Sequence, residues 1–290
     1  MKKIGLVVLN YKDYNTTSKF LEHSKNFDAI DKIIVVDNNS LDDSYEKLLK
    51  YENSKIKVLK SEQNGGYSAG NNIGIKYLIE NCDSDYIIIS NPDVIFENDI
   101  IPKMVEVYDK YEKIGVVCPK MIQYTANPQT AWKVPTYKED LISSFDIYNR
   151  FVGDPCKYDE SYLNQEEVFV EAVPGSFFMV STQAIKDAQY LDERVFLYCE
   201  ERILAYKLIE KGYRNILLNN ISYIHDHSVS INKSISSNTD KYKILYKSKL
   251  VYNENYLNIK GLKLATAKLI FKIAILEKQL IFNLKKTLKK

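Results

Sequence analysis

IIVVDNNS, residues 33–40, is an unbroken apolar run that closes on an acid and three small polar residues. It lacks the apolar–polar alternation of a half-exposed strand. It reads as a strand buried on both faces, the environment of a parallel sheet. Working outward, Ile4–Leu9, Ile56–Leu59 and Tyr86–Ser90 read as strands too. Tyr14–Lys25, Asp42–Tyr51 and Gly70–Ile79 carry helical patterns between them, with Asp42 and Asp43 well placed at a helix start. Strands alternating with helices predict an α/β chain with a doubly wound, mostly parallel sheet. Ligands of such sheets lie beyond the carboxyl ends of the strands. Asn10, Asp37, Ser61–Gly66 and Asn91–Asp93 all follow strand ends, so one crevice is expected to gather them.

The second half is less regular. Lys120–Asn149 holds Pro128 and Pro135 and no sustained period, which predicts loops and short helices over one side of the crevice. Val168–Ser181 reads as strand, tight turn at Pro174-Gly175, and strand. Glu200–Lys211 reads as an amphipathic helix with Leu204, Leu208 and Ile209 on one face and Gly212 as C-cap. Asn215–Leu218 and Ile221–Ile224 read as short strands. Residues 238–258 and 260–288 read as helices, with a linker near Ser234–Asn238.

The chain has 290 residues, enough for one large domain with an appendage. Its net charge of +2 does not favour nucleic acid. Residues 260–290 nevertheless hold nine Lys and one Glu, so a mildly acidic body carries a basic tail. Tyr is frequent, at 23 residues, which first suits compositional drift in an AT-rich coding sequence and also suits clefts for polar ligands with apolar faces. Cys82, Cys118, Cys156 and Cys199 lack metal-ligand spacing and read as reduced, mostly buried thiols of a cytosolic protein. The apolar start ends at Leu9, too soon for a signal peptide. No uncharged apolar stretch of about 18 residues exists to cross a membrane.

Each candidate site has a plain structural alternative. Asp37 can accept from a nucleobase N–H or a ribose hydroxyl, or simply form an Asx-turn. Asn64–Asn72 is a Gly-rich turn entering a helix, suited to a phosphate or to turning alone. Asp93 in Asn91-Pro92-Asp93 can hold a divalent cation that bridges a diphosphate, or cap a turn. Glu200 and Glu201 open a helix, where Glu201 borders the buried face as a general base would and where either acid also suits the helix dipole. His225 and His227 are two of three histidines and sit after an apolar strand, as metal ligands or as a surface loop.

The order of these signals is more telling than any one. VVLNY at 7–11, VVDNNS at 35–40, NGGYSAGNNIGI at 64–75, SNPDV at 90–94, PGSFFMV at 174–180, FLYCEERIL at 196–204 and HDHSVS at 225–230 follow one another. Over residues 3–230 the chain resembles the inverting family-2 glycosyltransferases of GT-A fold, in particular the bacterial rhamnosyltransferase-like branch that builds capsule, O-antigen and cell-wall polysaccharide.

The resemblance implies a GT-A catalytic domain over 1–234, with a Rossmann-like nucleotide-sugar half at 1–95, an acceptor half at 96–234 and a C-terminal basic helical extension at 235–290. Asp37 would contact base or ribose, and Asn64, Gly66 and Asn71 would line the nucleotide side. Asn10, Tyr11, Asn39, Asn91 and Asp93 complete the expected nucleotide-sugar set. Asp93 matches the last acid of the metal-binding DxD, here reduced to NPD, and His225 the histidine that completes the metal or diphosphate site, for Mg²⁺ or Mn²⁺. Glu201 matches the proposed catalytic base, with Glu200 as second candidate. Trp132, Gly175 and Ser176 lie where the acceptor approaches. The family's Glu-Asp is Glu200-Glu201 here, its second acid two positions on is Ile203, and Lys207 stands where Arg is frequent.

The implied reaction moves a sugar, rhamnose from dTDP-rhamnose foremost and otherwise galactose, galactofuranose or glucose from UDP, onto a lipid-linked saccharide. In Gly261–Leu288 the residues Leu262, Leu269, Ile270, Ile273, Leu276, Leu280, Ile281, Leu284 and Leu288 recur at spacings of mainly 3 and 4 among lysines. That helix suits an anionic membrane surface, and equally packing on the body or on a second subunit in a homodimer. Peripheral attachment at the cytoplasmic face of the plasma membrane follows as the expected location. A nucleotidyltransferase is disfavoured because the first strand leads to Asn10-Tyr11-Lys12-Asp13 with no glycine. A non-catalytic sugar-nucleotide scaffold is the remaining alternative.

Overall fold

The computed structural model describes residues 2–124, 129–225 and 238–288. Pro128, the Ser234–Asn238 linker up to residue 237, and residues 226–230 of the HDHSVS motif lie outside the described residues. In chain order the elements are β1 (Ile4–Asn10), α1 (Tyr14–Ser24), β2 (Lys32–Asp37), α2 (Ser44–Leu48, continued by a 3₁₀ turn), β3 (Ile56–Lys60), α3 (Gly66–Cys82), β4 (Tyr86–Ser90), β5 (Val94–Ile95), α4 (Ile100–Lys110), β6 (Ile114–Ile122), α5 (Tyr137–Ile142), α6 (Asp146–Phe151), α7 (Glu160–Leu163), β7 (Glu167–Val170), β8 (Phe177–Ser181), α8 (Thr182–Asp187), α9 (Glu200–Glu210), β9 (Arg214–His225), α10 (Asn238–Asn255) and α11 (Gly261–Leu288).

All nine strands of the described residues form one sheet in the order β3-β2-β1-β4-β8-β6-β9-β5, with β7 on β9 as well. β1 to β4 are mutually parallel, as the apolar runs predict, and β6 and β9 also pair in parallel. β8 runs antiparallel between β4 and β6. The sheet is therefore mixed and mostly parallel. Val7, Ile34, Val35 and Ile88 have no exposed surface, because helices cover both faces. Gly74 lets α3 lie directly on β1: a Cβ there would stand 2.6 Å from Val7 Cγ1.

Three expectations need correction. Val168–Ser181 is no hairpin: β7 pairs with β9, and β8 takes a central slot. Phe177–Val180 are buried on both sides, which suits the middle of the sheet rather than an edge. The two short strands at 215–224 are one strand, β9, whose break is a register shift opposite Pro119/Lys120. At the shift the Asn219 side chain donates to the carbonyls of Leu163 and Gln165. On α9 the buried apolar residues are Ile203, Leu204, Ala205 and Leu208, while Ile209 is 41% exposed. Ile209 is about 100° around the helix from Leu208 and so leaves the face that Leu204 and Leu208 share.

α10 and α11 do not stand apart from the body. Ala267, Phe271 and Ala274 of α11 bury against Tyr246 of α10 and Leu141 of α5. The nine apolar residues read as one stripe are divided. Leu262, Leu269, Ile273, Leu276, Leu280 and Leu284 are exposed, whereas Ile270 packs against the buried cluster. At 3.6 residues per turn the six exposed residues fall within about 80° of arc, opposite the packed face. The Leu288 side chain lies outside the described residues. Among those residues, no helix is long and apolar enough to cross a membrane. The four cysteines are free, and Cys118, Cys156 and Cys199 are buried.

Candidate active site

The parallel register sets Asn10, at the end of β1, beside Asp37, at the end of β2. Asn10 Nδ2 donates to Asp37 Oδ2 at 2.7 Å, and the Ser40 N–H donates to Asp37 Oδ1 at 2.8 Å. Thr17 Oγ1 donates to Asn10 Oδ1 at 2.7 Å. Asn10 and Asp37 have no exposed surface, so this pair builds the floor of the crevice rather than its open wall. Tyr11 and Asn39 are half-buried above it, Asn39 at a positive φ of 56°. Asn38 Nδ2 donates to Asn64 Oδ1 at 2.9 Å and to the Gly66 carbonyl at 3.1 Å, which ties the second strand end to the Gly-rich turn.

Gly66 has φ +85°, and a Cβ there would overlap the Phe196 carbonyl. The residue is thus required by backbone contact between the turn and the segment that leads to Glu200. Tyr67 continues the link. Its N–H donates to the Phe196 carbonyl at 3.0 Å and its hydroxyl to the Gly175 carbonyl at 2.5 Å. Asn71 is buried and donates to the Tyr67 carbonyl. The predicted nucleotide-side residues therefore first serve one another.

Tyr67 also borders a cavity of about 410 Å³, which Asn10, Tyr11, Asp37, Asn39, Asn64, Gly66 and Asn71 do not line. Tyr67, Asn91, Trp132, Gly175, Ser176, Tyr198, Glu200, Glu201 and His225 are among the residues that line it. Seven of these nine are residues that the sequence singles out, brought together from both halves of the chain. A larger cavity, of about 510 Å³, lies between residues 187–194 and the outer side of α9. It is lined by as many acids as cations and holds none of the predicted site residues.

Glu200 and Glu201 enter the 410 Å³ cavity from the first turn of α9, just after Tyr198 and Cys199, both left-handed at φ 70° and 69°. Glu200 is 5% exposed, and burial followed by the charge of Glu201 raises its pKa to about 8. Burial also pushes Glu201 up, opposed by the backbone N–H at the helix start and by the Arg202 charge. Two adjacent acids in one low-dielectric site do not both ionise easily. Burial favours the neutral form of both carboxyls, so the pair holds a proton more readily than free glutamates do. Tyr67 and Tyr223, whose hydroxyl pairs with Ser176 Oγ at 2.8 Å, are driven well above the ordinary phenol range by burial first, then by nearby charges that include Glu201. Both remain neutral donors.

At the opposite rim, Val94 of β5 pairs with His225 of β9. This brings His225 Nε2 to 3.3 Å from Asp93 Oδ1, with both side chains 5% exposed. Two donors at that separation can serve as adjacent ligands of one Mg²⁺ or Mn²⁺, whose octahedral edge at bonds of about 2.1 Å is close to 3 Å. Among the described residues no cluster of three or more His, Cys, Asp and Glu is set to hold a metal. A cation here would rely on Asp93, His225, water and substrate oxygens, the usual pattern for Mg²⁺ with phosphates. Tyr67, Tyr198 and Tyr223 are site residues that the sequence reading passes over. Tyr67 and Tyr198 lie inside the quoted NGGYSAGNN and FLYCEERIL stretches, the one available signal.

Residues 6–166 match the family described as Glycosyl transferase family 2. The chain is 24% identical over 204 residues to the low-salt glycan biosynthesis hexosyltransferase Agl10 of Haloferax volcanii, covering 70% of this chain and 61% of that protein. It is 24% identical over 217 residues to rhamnosyltransferase WbbL of Escherichia coli K12, covering 73% and 78%. The chain thus spans less than two thirds of Agl10. Among solved structures it is similar to a fragment of S. aureus TarS in complex with UDP-GlcNAc, at 16% identity and TM-score 0.60, covering 93% of this chain and 70% of that one. It is also similar to GalNAc-T7 with UDP, GalNAc and Mn²⁺, at 12% identity and TM-score 0.59, covering 78% and 44%. These likenesses establish the fold as that of the GT-A glycosyltransferases.

Proposed function

The chain belongs to glycosyltransferase family 2, and from that premise we propose that it transfers a sugar from a nucleoside diphosphate donor to an acceptor hydroxyl with inversion. The observation that carries the reading is the pair Glu200 and Glu201 lining one cavity with His225, whose ring lies 3.3 Å from Asp93. Glu201 removes the proton of the acceptor hydroxyl. The freed oxygen attacks the anomeric carbon as the bond to the diphosphate breaks on the opposite side. Burial and the neighbouring Glu201 raise the pKa of Glu200, which favours its neutral form and lessens the charge that would oppose an anionic donor. The rim of Trp132, Gly175 and Ser176 holds the acceptor, while Asn10, Tyr11, Asp37, Asn39, Asn64, Gly66, Asn71 and Asn91 form or support the nucleotide side. Asp93 and His225 are the residues to hold Mg²⁺ or Mn²⁺, which when bound neutralises charge on the leaving diphosphate.

The name of WbbL supports rhamnose from dTDP-rhamnose as the donor to test first, with UDP-hexoses next. The exposed apolar stripe of α11, flanked by Lys268 and Lys272, supports attachment to an anionic membrane surface and hence a lipid-linked acceptor of polysaccharide synthesis at the cytoplasmic face. The packed face of α11 already accounts for its contact with the body, so the stripe calls for a separate partner. Incubating the full chain with radiolabelled dTDP-rhamnose or UDP-hexose, Mn²⁺ and a bacterial lipid extract tests the reading. Label moving into the organic phase supports it. No transfer from any donor favours the scaffold alternative.

A further inference from the structure

Asp140, at the end of α5, has no exposed surface, yet it anchors three helices. Its Oδ1 accepts from Arg202 Nη1 of α9 at 2.5 Å and lies 3.1 Å from Lys249 Nζ of α10. Its Oδ2 accepts from Asn253 Nδ2 of α10 at 2.6 Å. Lys249 Nζ, 5% exposed as a residue, donates further to Ser144 Oγ at 2.7 Å and to the Asp140 carbonyl at 3.1 Å. One turn of α10 also reaches the segment before Glu200. Ser248 Oγ donates to the Leu197 carbonyl at 2.8 Å, and Tyr252 is buried against Cys199, Ile203 and Val195. Between these contacts stand Tyr198 and Cys199, consecutive left-handed non-glycine residues. Such a backbone is strained and persists only where its surroundings hold it.

We propose that α10 is the positioning element of the acid pair: Lys249, through Asp140 and Arg202, together with Ser248, through Leu197, clamps the strained turn that aims Glu200 and Glu201 into the cavity. The charges agree with the geometry: buried Lys249 and half-buried Arg202 both meet the carboxylate of buried Asp140. The boundary drawn near residue 235 therefore cuts through the catalytic unit, and α10 belongs with it. The turnover half of this proposal rests on reading Glu201 as the base; the structural half does not.

The test compares the full chain with Lys249→Met, Lys249→Arg and Ser248→Ala. Hydrogen exchange is followed in residues 195–204 and, as an internal reference, in residues 32–60. In parallel, kcat and donor KM are measured with the donor that the transfer assay selects. Lys249→Met should speed exchange in 195–204 by about tenfold or more with 32–60 unchanged, since local opening can be freed without global unfolding. It should lower kcat by roughly tenfold with donor KM within about twofold, as misaimed catalytic groups do. Lys249→Arg should restore both. Ser248→Ala removes a tie without disturbing buried charge and should speed exchange in 195–204 alone. Unchanged exchange there in both Lys249→Met and Ser248→Ala would overturn the proposal. So would acceleration spread equally over both segments. If Glu201→Gln retains full turnover, the base reading fails, while the exchange result still judges the clamp.

Discussion

Glu201 packs against Gly175 so closely that a Cβ on Gly175 would stand 3.0 Å from both Cγ and Oε1 of the glutamate. The same Gly175 accepts a hydrogen bond from the Tyr67 hydroxyl. One backbone residue thus confines the proposed base, from a turn whose φ an alanine also tolerates. Gly175→Ala is therefore expected to fold normally and to push the Glu201 side chain aside by a few tenths of an ångström. Turnover should fall by roughly tenfold, because small misplacements of reacting groups are costly. Steady-state kinetics should show the loss in kcat, with donor binding unchanged by calorimetry. An equal loss in donor affinity would contradict this placement.

Glu201→Gln keeps the shape and the packing on Gly175 but cannot take a proton. Turnover should drop by about 10²–10⁴-fold, the usual worth of a general base. In the wild type, kcat/KM should decline on the acid side at a pH above the ordinary glutamate value, because burial raises Glu201 and only its anion is active. Near-normal turnover in the variant would remove Glu201 from the role.

Glu200 offers a stability test independent of substrate. Its folded pKa of about 8 lies above the unfolded value, so between the two the folded protein binds more protons than the unfolded chain. Stability should then fall as pH rises through that window. Glu200→Gln removes the ionisation and should raise the melting temperature near pH 8 while changing it little near pH 4. Melting curves of both proteins across that range decide it. A variant destabilised equally at every pH would show the side chain acting by packing alone.

The α11 stripe makes a further prediction. Replacing Leu269, Leu276 and Leu280 together with Gln leaves Phe271 and the packed face untouched. Binding to vesicles rich in anionic lipid should weaken markedly, with melting temperature nearly unchanged, since each exposed leucine contributes by burial in the interface. Undiminished vesicle binding, or a loss of self-association in sedimentation instead, would assign the stripe to a second copy of the chain.

β1, β2 and β4 were legible because they are buried on both faces. Runs such as Ile33–Val36 and Ile87–Ile89 announce themselves without alternation, and the polar residues at their ends must share an edge. The acid pair and Asp93–His225 were legible as motif residues. Their distances were not, because β8 and β9 enter the sheet out of sequence order. Nothing local in Phe177–Ser181 says that it separates β4 from β6. Asp140 is the clearest case of what stays hidden. It reads as an ordinary helix residue, and its partners Arg202 and Asn253 lie 62 and 113 positions away. Likewise the apolar positions of α11 are regular enough to mark a helix, but two opposite faces share them. Only the packing of Ala267, Phe271 and Ala274 separates the face that is covered from the one that is not.

The central claim is that the crevice takes a nucleoside diphosphate sugar with a cation held by Asp93 and His225. The direct measurement is titration calorimetry of the full chain with dTDP-rhamnose, UDP-galactose, UDP-galactofuranose, UDP-glucose and GDP-mannose, each with Mn²⁺ and again with chelator. One donor should bind clearly better than the rest, and chelation or Asp93→Ala should weaken it. Absence of binding by every donor, with and without metal, would contradict the account.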